Sequence, residues 1–365
     1  MLFKPSEMPK LLSRKRTAPV MSTNTRLEER HDQEESVGDS KTSQLYDKHT
    51  AVTFYEGRYA QDYMDDWPVT KRQRVFALVH SLKLPPGGEA IDFGCGTGVF
   101  TEVIRQALPF GWRVYGSDIS HIAIGKARKR YPQCVFFVEG DPKFAEKRFN
   151  FLFTHHVLEH VSDLSGVIDE IARHVKSKSV MLHILPCGND GSFERGVCIL
   201  RKDGINSQLG NRFFFEDEGH VRRLTTEELS ERCRGRGFIL TTEYYSNQYY
   251  GAIDWMTEGH PRFVRLLTDG SSAVDEDAAR KLKLLRVKLS VLCCLRYPAI
   301  CFDSKLMKSG KTNRDYVLLA LGLPFYPLAK LTDWLLKRKA ADEWKTKKTE
   351  RTGSEMYLCF RRGDI

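Results

Sequence analysis

The run Ala90-Ile91-Asp92-Phe93-Gly94-Cys95-Gly96-Thr97-Gly98 joins a short apolar stretch to an acid and a GxGxG turn, with a helical pattern starting near Val99. Glycines suit a backbone that turns sharply and must lie against a ligand without a Cβ in the way. A dinucleotide site carries GxGxxG, and Val99 occupies the last position of that pattern. An acid two positions before the first glycine suits a ligand with a positive amino group, not a pyrophosphate. Asp118 follows the next apolar run, Trp112–Gly116, where a carboxylate can accept both hydroxyls of a ribose. Asp141 follows the third run, Val135–Val138, where it could meet an adenine amino group. Three acids at successive strand ends, together with GxGxG, make one constellation.

A second group could move protons. His155, His156, Glu159 and His160 follow a fourth apolar run, Phe149–Thr154, and His220 lies further along. Histidine is the usual base near neutral pH, which makes His156, His160 and His220 the catalytic candidates. Each has a plainer reading: Glu159 and His160 capping a short helix, His220 satisfying a loop backbone. His183, inside a fifth run, reads as structural. His156 to His160 also spells HxxEH, an inverted zinc-protease signature. That motif needs a helix and a further protein ligand, whereas here it abuts a buried strand, so no metal is expected.

These residues need a scaffold that brings strand ends together. The apolar runs Ala90–Phe93, Trp112–Gly116, Val135–Val138, Phe149–Thr154 and Val180–Leu185 alternate with helical patterns that include Gly98–Leu108, His121–Arg130 and Leu164–Val175. Continuous apolar strands between amphipathic helices predict a doubly wound α/β fold with a mostly parallel sheet. Open sheets of this kind bind ligands at the carboxyl ends of their strands. A helix is expected over Val69–Leu82, before Pro85-Pro86-Gly87-Gly88, and another at the capping box Thr225-Thr226-Glu227-Glu228. Phe238–Tyr245 and Glu355–Arg362 read as the last two strands, which makes seven in all.

On these residues the chain resembles the class I S-adenosylmethionine-dependent methyltransferases, over about 46–245 plus the final strand. The stretch Phe149 to Val161 looks like the family's fourth-strand motif, with Asn150 where Asp is usual. The segment Gly219 to Thr225 looks like the region before the penultimate helix in the small-molecule members. The resemblance implies S-adenosylmethionine as cofactor, with Asp92, Gly94, Gly96 and Gly98 at its methionine end and Cys95 in the same turn. It implies Asp118 at the ribose with Ile119 beside it, Asp141 at the adenine and His155 on the other flank. Quinone-biosynthesis O-methyltransferases carry ExxEH here, and His156 stands where their first Glu would be. Cys187 has no partner motif after the fourth strand, which disfavours cysteine-based cytosine methylation of RNA. The N/D-P-P-Y/F motif of nucleic-acid amino methylation is missing from the sequence. The reading is O-methylation of a small or lipid-like acceptor with a histidine base. An RNA or protein methyltransferase, or a non-catalytic cofactor-binding scaffold, are the alternatives.

Bulk properties fit this class. Of 365 residues, 41% are hydrophobic and 28% charged, enough to bury a core and ordinary for a globular chain. Nine scattered cysteines without zinc spacing fit a reduced, cytoplasmic setting. Charges at Lys4, Glu7, Lys10 and Arg14 to Arg16 interrupt any secretory apolar stretch. Residues 1–45 are polar without periodicity and are expected to be a disordered tail. The methyltransferase core is expected at 46–245 and 354–365, with a helical insert at 246–353. Two readings of that insert stand. One is a lid over the acceptor. The other is an interfacial pair of helical stretches, 280–296 and 316–339, at an anionic membrane surface, where leucines interleave with cations. Tyr316–Ala329 is too short and too broken by Gly322, Pro324 and Pro327 to span a bilayer. Because the cations interleave with leucines, they do not form the polar groove that a nucleic-acid partner would need.

Overall fold

A computed structural model describes residues 48–259, 261–307 and 310–362. The tail expected at 1–45 lies outside the described residues. Two helices come first, α1 (Lys48–Ala60) and α2 (Val69–Ser81). Strands and helices then alternate: β1 (Gly88–Phe93), α3 (Val99–Ala107), β2 (Trp112–Asp118), α4 (His121–Arg130), β3 (Val135–Val138), α5 (Pro142–Ala145), β4 (Phe149–His155), α6 (Leu164–Arg173) and β5 (Val175–Pro186). Next come α7 (Phe193–Cys198), a short antiparallel pair β6 (Ile205–Asn206) and β7 (Arg212–Phe213), α8 (Thr226–Arg234) and β8 (Phe238–Ser246). The helices α9 (Tyr250–Glu258), α10 (Pro261–Leu267), α11 (Glu276–Met307), α12 (Asn313–Gly322) and α13 (Tyr326–Lys347) precede the last strand, β9 (Glu355–Arg362).

Seven strands form one sheet in the order β3-β2-β1-β4-β5-β9-β8. The ladders of β1 with β2 and β4, of β2 with β3, and of β4 with β5 are all parallel. Ile91, Phe151, Leu152 and Phe153 are fully buried, which is why these strands are apolar without alternation. The order reverses between β1 and β4, and such a switch point opens a crevice at the carboxyl ends of the strands. Asn150, at the start of β4, accepts from Glu89 N (3.1 Å) and Lys176 Nζ (3.2 Å). The departure from Asp therefore sits at the amino end of the strand, where a neutral acceptor serves.

Local signals set the helix starts. Ser120 Oγ accepts from Ala123 N (3.0 Å) at the head of α4, and Asp163 Oδ1 accepts from Gly166 N (2.9 Å) at the head of α6. Thr225 N donates to Glu228 Oε2 (2.8 Å) and Glu228 N donates to Thr225 Oγ1 (3.2 Å), the reciprocal capping box expected there. None of the nine cysteines, all among the described residues, is in a disulfide.

The chain divides into two compact units. One holds the described part of Met1–Ile184, with Glu231–Thr241 and the described part of Cys359–Ile365; the other holds Leu185–Ser230 and Thr242–Leu358. Within the second, Ile253, Val264, Leu289, Cys293 and Leu336 make a buried apolar cluster. Beside it Arg296, wholly buried, reaches Asp333 Oδ1 through Nη2 (2.7 Å), Asp254 O through Nη1 (2.9 Å) and the Asp254 carboxylate. Two carboxylates around one guanidinium satisfy a charge that could not otherwise be buried.

Candidate active site

A cavity of about 400 Å³ opens in the first unit at the carboxyl ends of β1, β2 and β4. β1 delivers Asp92, and the turn that follows holds Gly94 at φ 74° and Gly96 at φ 52°, both left-handed. Space excludes a side chain here as strongly as the dihedral does. A Cβ on Gly94 would lie 2.4 Å from Val157 Cγ2, and one on Gly96 would lie 2.9 Å from the Tyr59 hydroxyl. Gly94 N and Cys95 N both donate to Ser117 O (2.8 Å), which fixes the turn against β2. Gly98 serves as N-cap of α3.

Two carboxylates are buried beside this turn. Thr101 Oγ1 donates to Asp92 Oδ2 (2.7 Å), while Asp118 accepts from Gly96 N (2.8 Å) and Ser120 N (2.9 Å). Burial, reinforced by the Asp118 charge, pushes Asp92 up to about 7. Burial, with Glu139 and Glu56 adding to it, pushes Asp118 up to about 6. No lysine or arginine is among the described residues that line the cavity. Thr97 Oγ1, on the wall, is buried without a hydrogen-bond partner among the described residues. Acids without a cation, a hydroxyl without a partner and a turn that excludes Cβ atoms fit a ligand bearing an ammonium and sugar hydroxyls. Cys95 and Ile119 also line the cavity. Burial, with Asp92 and Asp118 nearby, holds the Cys95 thiol well above its ordinary range.

The opposite wall comes from β4 and the amino-terminal helices. His155 ends β4, its ring centred 4.0 Å from Phe100 and 4.5 Å from Trp67. His156 then takes φ 54°, unusual for a residue with a β-carbon and a mark of backbone held in place by its surroundings. Its Nδ1 lies 2.8 Å from Oε1 of the buried Glu159, and Trp67 stacks on its ring at 5.6 Å and 28°. His160 Nε2 lies 4.0 Å from the same Glu159 oxygen, and its Nδ1 lies 2.8 Å from the Tyr55 hydroxyl. Tyr55, Tyr59, Tyr63 and Trp67 complete an aromatic wall.

That wall is anchored to α4. Glu56 accepts from Ser120 Oγ (3.0 Å), His121 N (2.6 Å) and Ile122 N (3.1 Å), and so caps α4 from α1. Lys126 Nζ donates to Tyr59 O (2.7 Å), and Arg130 Nη1 to Asp65 O (2.6 Å).

Asp141 and His220 are not among the residues that line the cavity. Asp141 is the N-cap of α5, its Oδ1 accepting from Lys143 N (2.9 Å). Glu139 lines the cavity in its stead. His220 belongs to the second unit, its Nδ1 3.7 Å from Glu216. Arg223 pairs there with Glu216 (2.9 Å) and Glu194 (3.4 Å). Burial alone would raise Glu216, but Arg223 and His220 hold it below its ordinary value. His183 bonds Thr154 Oγ1 (2.8 Å) and is pushed down to about 4 by burial, a neutral core histidine. Cys187 is pushed up to about 12 by burial, so it is held as a thiol. Glu56, Tyr55, Trp67 and Thr97 are not among the residues the sequence singles out for the site; Phe54, Tyr55, Tyr59, Tyr63 and Trp67, aromatics at roughly helical spacing, are the one sequence feature that points to this wall.

Comparison with known proteins agrees with this geometry. Residues 68–243 match the family described as "Methyltransferase domain". The chain is 27% identical over 214 residues to trans-aconitate 2-methyltransferase of Deinococcus radiodurans, covering 56% of this chain and 79% of that protein. It is 32% identical over 98 residues to 2-phytyl-1,4-naphtoquinone methyltransferase of Thermosynechococcus vestitus, covering 25% and 43%. It is 25% identical over 171 residues to ubiquinone biosynthesis O-methyltransferase of Rhodopseudomonas palustris, covering 45% and 63%. For the second and third, the chain spans less than two thirds of the relative. The doubly wound sheet, the acid-flanked glycine turn and the match over 68–243 together identify a class I methyltransferase domain within the chain, with S-adenosylmethionine as its cofactor.

Proposed function

We propose that the chain methylates a hydroxyl oxygen of a small or lipid-like, largely apolar acceptor, with His156 taking the proton. The lining of the cavity carries this reading: aromatic on one side, acidic on the other, and without a lysine or arginine among its described residues. A polycarboxylate of the trans-aconitate kind would be repelled there, whereas a flat ring bearing a hydroxyl, as in a quinol, would stack on Trp67 and the tyrosines.

S-adenosylmethionine brings a methyl group already activated by a sulfonium charge, which leaves alignment and proton handling to the protein. In this reading Asp92, the Gly94–Gly98 turn and Thr97 hold the methionine end. Asp118, flanked by Ile119, takes the ribose, Glu139 takes the position expected of Asp141, and His155 closes the flank. The Glu159 carboxylate, 2.8 Å from His156 Nδ1, would favour the tautomer with its lone pair on Nε2 and steady the imidazolium that forms. His160, tied to Tyr55, is a positioning residue on the same wall. His220 is left to the Glu216–Arg223 cluster.

The test is methyl incorporation from labelled S-adenosylmethionine into a panel of catechols, hydroquinones, long-chain alcohols and tricarboxylates. Labelling of hydroxyl acceptors alone supports the proposal. Labelling of trans-aconitate with silence on every hydroxyl would overturn it.

A further inference from the structure

The second unit presents an apolar surface that the reading above does not use. Of 23 exposed large apolar side chains among the described residues, 16 fall between Leu284 and Leu335. On α11 the buried stripe is Leu282, Leu289, Cys293 and Arg296, while Leu284, Val287, Val291 and Leu295 make a second stripe facing solvent. Their spacing of three, four and four puts them on one face, opposite the buried one. A helix whose two faces are both apolar has one face too many for a free surface.

The stripe runs on into the neighbouring helices. Seven residues past Leu295, Phe302 sets its ring 4.5 Å from Tyr326 at the start of α13. The end of α12 exposes Leu321 (65%), and the turn to α13 exposes Leu323 and Phe325 (63%). On α13, Leu328, Leu331 and Leu335 point outward while Ala329 and Leu336 are buried. Trp334 is half exposed beneath the Arg338 guanidinium, 5.3 Å from its ring.

Charge identifies the occupant. Residues 276–347 hold 16 Lys and Arg against 7 Asp and Glu, a net +9 of the chain's +10. Lys281, Lys283 and Arg286 are exposed beside the first stripe, and Lys330 and Arg338 beside the second. A second copy of this surface would bring like charges together, and a nucleic acid would leave the leucines uncovered. No described helix is long and apolar enough to cross a membrane. We infer that α11, α12 and α13 form a docking face for an anionic lipid bilayer, lying on it with leucines and aromatics in the acyl boundary and cations at the headgroups. This rests on the second unit alone and stands apart from the acceptor assignment.

Flotation of the full chain with vesicles tests it, using phosphatidylcholine alone and phosphatidylcholine with about a third phosphatidylserine. Binding to the anionic vesicles, weak binding to the neutral ones and release by high salt are expected. Leu321→Glu with Phe325→Glu should weaken binding at least about tenfold, because both side chains leave the acyl boundary. Lys281→Glu with Lys283→Glu should weaken it on the order of thirtyfold or more. Circular dichroism and the melting temperature check that each variant folds, and the lysine pair decides if the apolar pair does not fold. Equal binding to both vesicles, binding unchanged in the variants, or no binding by wild type would overturn the inference. So would a dimer in sedimentation that Leu321→Glu dissolves, which would assign the face to a second copy.

Discussion

His156, on the wall of the cavity that also holds Asp92 and Asp118, sets its Nδ1 2.8 Å from Oε1 of Glu159, a carboxylate with no solvent exposure. A buried acid that orients a more accessible imidazole is the arrangement expected of a positioned base. Its strained φ of 54° sets where the ring sits, which a mobile histidine would not need.

His156→Gln should lower kcat by about 10²–10⁴-fold while leaving S-adenosylhomocysteine affinity almost unchanged. Glu159→Gln should lower kcat less, because the ring remains but its tautomer and imidazolium lose support. Steady-state kinetics and a calorimetric titration on the same preparations separate the two effects. If cofactor affinity collapses along with kcat, the pair is structural.

The acids at the turn predict a pH dependence. Asp92 and Asp118 have ordinary values of 3.8 but keep their protons to about 7 and about 6 in the folded, ligand-free chain. Between pH 4 and those values the folded state binds more protons than the unfolded one, so stability falls as pH rises. A ligand that binds the ionised acids is held more tightly as pH rises through the same window. The increase in melting temperature given by S-adenosylhomocysteine should therefore be larger at pH 8 than at pH 5.5, and Asp118→Asn should flatten the difference. A larger increase at the lower pH would contradict this.

Glu56→Ala removes three hydrogen bonds between α1 and the head of α4. A loss of about 1–3 kcal/mol is expected for a charged acceptor at a helix start. Hydrogen exchange over 48–67 should quicken and the KM for the acceptor should rise more than kcat falls, because the aromatic wall loosens. Unchanged exchange in that segment would show that Lys126 and Arg130 suffice as anchors.

Arg296→Met leaves Asp254 and Asp333 facing each other without their shared cation. Breaking a buried ionic cluster from one side costs about 3–5 kcal/mol, and Asp254→Asn in the same chain should recover part of it. Denaturant midpoints read both. A neutral result for the single variant would mean that Lys337, 2.9 Å from Asp333, takes over the pairing.

The sequence shows its elements wherever burial writes a continuous pattern. His121–Arg130, Val135–Val138 and Glu355–Arg362 have the expected bounds, and the Thr225 box caps α8 through Glu228. β5 begins at Val175 instead of Val180, because Lys176, Ser177 and Lys178 give its early part no apolar signal and Lys178 takes φ 61°. The glycine turn and its two flanking acids could be read because backbone sterics and charge act locally. Asp141 is less legible, because a turn acid can serve its own helix as well as a ligand and the same residue pattern marks both. Contacts such as Glu56 to His121 and Tyr55 to His160 join residues 65 and 105 positions apart, and no local pattern announces them.

The most direct measurement is calorimetric titration of the purified chain with S-adenosylhomocysteine, with Asp118→Asn alongside. One site of about micromolar affinity is expected, weakened roughly tenfold to a hundredfold when the charged acceptor is lost. A well-folded wild-type chain that gives no heat of binding, or an Asp118→Asn variant that binds equally well, would contradict it.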